Sequence, residues 1–246
     1  MPEFKFEPLP FEEAIQFFKD KLALKPEEYK RLAEEAKVKA FTVAGYTSLE
    51  ILNDILKELE KALTEGITVK EFRDSVNQLL ESKGYEGFTP FNADNIFRTN
   101  VQTAYNVGRY KQMTDPDVVQ ARPYWMYDAV NDKRTRPTHL AMDETVRRYD
   151  DPFWNVWYPP NGFRCRCSVR TLSKRDVDRR GYTIQTGPPP AYVKTDTGSG
   201  VIPLLPDPGF AFNPGKAAWQ PDLSKFPEKL QKAFQNRDSG KRPPNV

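Results

Sequence analysis

Between residues 48 and 84 the chain spells out two helices together with their start and stop signals. In "SLEILNDILKELEKALTEG", Leu49, Leu52, Ile55, Leu56, Leu59 and Leu63 fall on one stripe of a 3.6-residue period, with Ser48 as the N-cap candidate and Gly66 as the stop. "TVKEFRDSVNQLLESKG" repeats the device, with Thr68 capping, Glu71 completing a capping box and Gly84 closing. Neither helix can bury its stripe alone, so each needs a partner. The flanks supply candidates. "PFEEAIQFFKDKLAL" carries Phe11, Ile15, Phe18 and Leu22 at helical spacing, and "KPEEYKRLAEEAKVKAFTVAG" opens on Pro26 and ends on Gly45 as one helix would. A further helix is expected over 92–114. It places Phe97, Val101, Ala104 and Gly108 on one face and a polar stripe of Arg98, Gln102, Tyr105 and Arg109 on another. That stripe reads either as a solvated face or as a surface that holds the central loops or a partner.

The texture changes after Pro116. "ARPYWMYDAV" reads as a strand, "TRPTHLAM" as one or two helical turns with Thr135 as a cap candidate, and "TVRRYDDPFWNVWYPPNG" as extended chain between turn signals. "CRCSVRTL" alternates as a strand does, and Ser173 can cap a short helix over 173–180. From 187 onward eleven prolines, with interspersed glycines, exclude a regular core. Tyr192, Phe210, Phe212 and Trp219 suit this arm to docking on another surface. A short helix is expected at 224–234, with a disordered tail after it. The fold expected is therefore α+β. It comprises an N-terminal helical region (1–90), a small mixed, loop-rich α/β module (91–186) and a Pro/Gly-rich arm and tail (187–246).

A net charge of +3 conceals an asymmetry: residues 1–90 hold 13 basic and 18 acidic side chains, and residues 91–246 hold 24 and 16. The densest basic run includes Arg170, Arg175, Arg179 and Arg180, a candidate phosphate-binding face or an ordinary solvated one. No run approaches the roughly 18 apolar residues that a membrane helix needs, and mean hydropathy is −0.71. The acidic start "MPEFKFEPLP" lacks the basic region of a secretory signal, so folding in a reducing cytoplasm is expected.

Two cysteines in 246 residues cannot frame a disulfide scaffold. Cys165 and Cys167 stand one residue apart, just after "PPNG", and the chain's one histidine, His139, precedes them by 26 positions. Extended residues i and i+2 point the same way, so both thiols can face one imidazole. Thiolate and imidazole are good zinc ligands, but a structural site takes four, which leaves the fourth to a carboxylate such as Asp132, Asp143, Asp150 or Asp151, to water, or to another chain. Two small buried hydrophobes and a satisfied histidine are the alternative. Catalytic alternatives are a Cys165 nucleophile with His139 as base, or a hydrolytic metal held by Asp132, His139 and Asp143. No phosphate-cradling or dinucleotide Gly-rich loop is present.

The ordered series Asp132, Arg134–Thr135–Arg136, His139, Asp150–Asp151–Pro152–Phe153–Trp154, Pro159–Pro160–Asn161–Gly162 and Cys165–Arg166–Cys167 resembles the core signature of the phage Mu F-like minor head proteins. The likeness extends through "AFTVAG", "IFRTNVQTAYNVGRY" and "DPGFAFNPGKAAW", roughly residues 25–220. It departs where the family pattern often has glycine after the histidine segment and this chain has Asp143–Glu144. The resemblance implies a non-enzymatic role in tailed-phage head morphogenesis at or near the portal vertex. The implied partners are the portal protein and inner capsid or scaffold proteins. The implied location is the virion, reached from the host cytoplasm, with neither a membrane nor a small-molecule substrate. Contact with packaged DNA, as a packaging or ejection factor, is the competing expectation. The resemblance also favours a structural zinc at His139, Cys165 and Cys167, with Asp132 as the candidate fourth ligand.

Overall fold

The computed structural model describes residues 11–194, 200–219, 227–229 and 231–232. Of the expected helix at 224–234, residues 227–229 and 231–232 are described, and 228, 229, 231 and 232 are helical; the tail after it lies wholly outside the described residues. The fold is α+β. Its helical part comprises α1 (Glu12–Lys19), α2 (Pro26–Lys30), α3 (Glu34–Lys37), α4 (Leu49–Thr64), α5 (Val69–Ser82), α6 (Pro90–Met113) and α7 (Pro116–Ala121). The mixed part holds β3 (Tyr124–Asp128), α8 (Pro137–Leu140), β4 (Val146–Arg148), α9 (Trp154–Trp157), β5 (Ser168–Leu172) and α10 (Lys174–Arg180). The arm contributes β6 (Tyr192–Lys194), β7 (Val201–Pro203) and α11 (Pro214–Trp219).

The helix starts follow the capping chemistry written in the sequence. Ser48 accepts from the Ile51 amide, and Thr68 and Glu71 exchange both bonds of a capping box. Ser173 and Asp176 do the same at α10, which ends on Gly181 at φ 67°. The α8 cap differs from expectation. Arg136 occupies it without a side-chain cap bond, and Thr135 instead turns its hydroxyl to the Val130 carbonyl.

The span 25–45 is not one helix. After α3 the chain forms β2 (Ala40–Phe41), which pairs in parallel with β1 (Leu22–Ala23), and Leu24, Leu32, Ala36 and Ala40 gather into a small apolar cluster. Two short helices with a return strand bury these four side chains together, which one straight helix could not do. The same fold-back takes Lys21 and Lys39 inside, with 8% and 5% exposure. The Lys21 ammonium donates to the Val38 carbonyl at 2.9 Å and lies 5.0 Å from the Phe17 ring centre.

The stripes of α4 and α5 meet α1 and α6 around Phe17, Leu52, Ile55, Phe72 and Leu80. α6 also belongs to the second core. Its Tyr110 and Met113 pack with Trp125, Tyr127, Trp154, Trp157 and Tyr158 above the three-stranded antiparallel sheet β4-β3-β5. Gly108 lets α1 approach closely, since a Cβ there would stand 2.8 Å from the Ala14 nitrogen. The arm closes both cores from outside. Ala217 and Ala218 join the first, Leu204 joins the second, and the Trp219 indole donates to the Val107 carbonyl at 2.9 Å. No helix of the described residues is long and apolar enough to cross a membrane.

A candidate metal centre at His139, Cys165 and Cys167

Three local structures bring the ligands together. α8 presents His139, the Pro-Pro-Asn-Gly turn precedes the cysteines, and residues 165–167 lead into β5, which pairs with β3. His139 Nδ1 lies 3.7 Å from both Cys165 Sγ and Cys167 Sγ. The three donor atoms all fall within 4.8 Å of one another, at residue exposures of 2–3%. His139 Nε2 is 3.2 Å from the Asn161 carbonyl oxygen, which can only accept. Nε2 is therefore the donor in that bond, and Nδ1 faces both sulfurs. Metal-binding histidines are oriented in this way, the far N–H being held by a carbonyl.

The two thiols share their protons unevenly. The hydrogen bond from Cys167, together with His139, holds the Cys165 thiol well below the usual range, and the negative charge so favoured, with burial, pushes Cys167 up. A cation between the sulfurs would relieve that repulsion. Burial and the nearby thiols likewise raise the Tyr127 phenol far above its ordinary value. Its hydroxyl donates to Asn161 Oδ1 at 2.9 Å.

The carboxylates are held elsewhere. Asp132 is not a member of the group and receives two bonds from the Arg166 guanidinium, at 2.6 and 2.7 Å, which hold its carboxyl well below the carboxylate range. Asp143 accepts from the Ala129 amide and Asn131, both at 2.8 Å. Asp150 pairs with Arg148, and Asp151 with Arg147. The donor set of the described residues is therefore one imidazole and two thiols. It suits a soft or borderline cation.

Residues 53–170 match the family model described as Phage Mu protein F like protein. The chain is similar to the phage Mu F proteins. It is 34% identical over 251 residues to "Putative capsid assembly protein F" of Escherichia phage Mu, covering 87% of this chain and 56% of that protein. It is 38% identical over 165 residues to "Mu-like prophage FluMu F protein" of Haemophilus influenzae (strain ATCC 51907 / DSM 11121 / KW20 / Rd), covering 62% of this chain and 39% of that protein. The chain spans about half the length of the curated relatives it matches. No solved structure matches it.

The segment matched to the Mu F-like family runs from α4 into β5 and contains the whole His/Cys group. It also contains the α6 stripe, whose members divide. Gln102 donates to the Cys167 carbonyl at 3.0 Å, joined by Asn106 at 3.3 Å. Arg98 pairs with Asp94, which also receives Arg164. Tyr105 packs edge-on against Phe11, and Arg109 acts electrostatically on buried Tyr158. Asn106 and Asn161 carry much of this geometry. Both are fully buried amides in segments already quoted for their resemblance, but their roles are invisible without the partner strands.

In the basic segment, Arg170 pairs with Asp128, Arg179 with Asp176, and Arg180 bonds Tyr182. Arg175 is exposed on α10. The turn after α8 puts Glu144 at φ 56°, in the left-handed region that favours glycine.

Proposed function

We propose that this protein is a minor head component of a tailed phage, acting in head morphogenesis at or near the portal vertex and not as an enzyme. The observation that carries the reading is the likeness to a capsid assembly protein over 87% of the chain. Its partners in this reading are the portal protein and inner capsid or scaffold proteins. Its final location is the virion, after assembly in the host cytoplasm. The burial of His139, Cys165 and Cys167 supports a structural role, because a substrate would have to displace the surrounding core to reach them. These three hold a structural zinc that staples the loop-rich module, water or a group from another chain completing the coordination, with Asp132 left to its arginine. Protein purified without chelator then contains about one zinc per chain, and Cys165→Ser lowers its thermal stability.

The basic segment supports a competing reading as a DNA factor, although Arg170 and Arg179 are matched by carboxylates. The separating measurement is the amount of this protein in proheads assembled with packaging blocked. Normal abundance, retained when Arg175, Arg179 and Arg180 are neutralised, is expected for an assembly protein. Presence only in DNA-filled heads would overturn that reading in favour of the DNA one.

A further inference from the structure

The structure points to a regulatory role for the His139, Cys165 and Cys167 centre: we infer that metal occupancy there controls docking of the arm around Asp207. This rests on the metal reading above. The arm at Asp207 is tied to the two segments that carry the ligands. The Asn161 carbonyl accepts from His139 Nε2 at 3.2 Å and also from the Asp207 amide at 2.9 Å. Arg136, the cap residue of the helix that presents His139, forms an ion pair with Asp207 at 3.0 Å. The same guanidinium donates to the Phe163 carbonyl at 2.9 Å, two residues before Cys165. The Phe163 ring meets Phe210 of the arm edge-on at 4.9 Å. Gly162 leaves the space Asp207 needs, since a Cβ there would stand 2.3 Å from its carboxylate oxygen.

A bound cation fixes His139 and the 161–167 turn in one relative position, and that position is what the Asp207 segment recognises. Without the cation, both anchors gain freedom and the arm loses its shared acceptor and its ion pair together. The consequence reaches a groove of about 900 Å³ between α6 and the chain after β2, because Pro208, Gly209, Phe210 and Phe212 form one of its walls. Metal occupancy therefore sets whether that groove has its arm-side wall. Coupling of this kind is reciprocal, so arm docking strengthens metal binding by the factor by which metal strengthens docking.

The test uses the full chain, with zinc and cobalt(II) as probes. Cobalt absorption reports thiolate ligation, and hydrogen exchange reports arm docking through the Asp207 and Ala217 amides, with the α4 amides as the reference. The expected result is exchange of the arm at least about five-fold faster in chelator-stripped protein, with α4 unchanged. Asp207→Ala, which leaves every ligand in place, should speed arm exchange in metal-loaded protein and weaken cobalt affinity by a similar factor. Equal arm exchange with and without bound metal overturns the coupling and leaves the metal reading intact. So does loss of α4 protection together with the arm, or unchanged cobalt affinity in Asp207→Ala. Absence of any cobalt or zinc binding overturns the metal reading itself, and the coupling with it.

Discussion

Asn161 shows how much one buried side chain can hold. Its carbonyl fixes the His139 tautomer and receives the arm, its Oδ1 accepts from Tyr127, and its amide nitrogen donates to the Val156 carbonyl at 3.3 Å. Other single residues carry a cost instead. Glu144 is held at φ 56°, so Glu144→Gly is expected to raise stability by about 0.5–1 kcal/mol in urea titrations. An unchanged or lower midpoint would show that its backbone is not under strain. Burial, and then Lys39, lower the Lys21 amine to about 7. The ordinary lysine value near 10.4 applies in the unfolded chain. Between those limits the unfolded chain binds a proton that the folded chain does not, so stability rises with pH across that window. Below about pH 7 both forms are protonated and the full cost of burying the charge remains. Lys21→Met is therefore expected to be more favourable at pH 6 than at pH 10, by on the order of a few kcal/mol. Parallel pH profiles for the two proteins would refute the burial argument.

Among the elements, α6 does the most to join the parts, because its two ends pack in different cores and its middle clamps Cys167. Gln102→Ala leaves Asn106 as a single donor to that carbonyl. The expected loss is about 1 kcal/mol of stability together with weaker zinc binding, by melting and cobalt titration. A loss of stability with unaltered cobalt affinity would separate the clamp from the site. The caps of α4, α5 and α10 were legible in the sequence because a Ser or Thr acts within one turn, joined at α5 and α10 by an acidic residue three positions on. The break of the 25–45 segment was not. Local propensity favours helix over most of it, and the decision lies in a parallel pairing between residues 18 positions apart. Of the α6 stripe, spacing identified a special face, but it could not show that Gln102 reaches a cysteine carbonyl while Arg98 turns to Asp94 on its own helix.

For the whole molecule, the arm is a structural member, although its composition excludes a regular core of its own. Gly215 lies so close to Tyr110 that a Cβ would stand 2.3 Å from its ring, and Asn213 donates to the Trp154 carbonyl at 3.0 Å. Truncation after Pro190 removes Leu204, Ala217, Ala218 and Trp219 from the two cores and is expected to cost more than about 3 kcal/mol, read as a large fall in the urea midpoint. An unchanged midpoint would mean that the arm adds nothing to the fold. By itself, the sequence determined the capped helices, the mixed class, the likeness to Mu F proteins and the three candidate ligands, because each is written in short-range spacing or in an ordered motif. Tertiary structure alone decided that both thiols face one imidazole nitrogen, that Asp132 goes to Arg166, and that the arm reaches back to Asn161. Those outcomes depend on contacts between residues tens of positions apart, where burial and the pairing of buried polar groups outweigh any local preference.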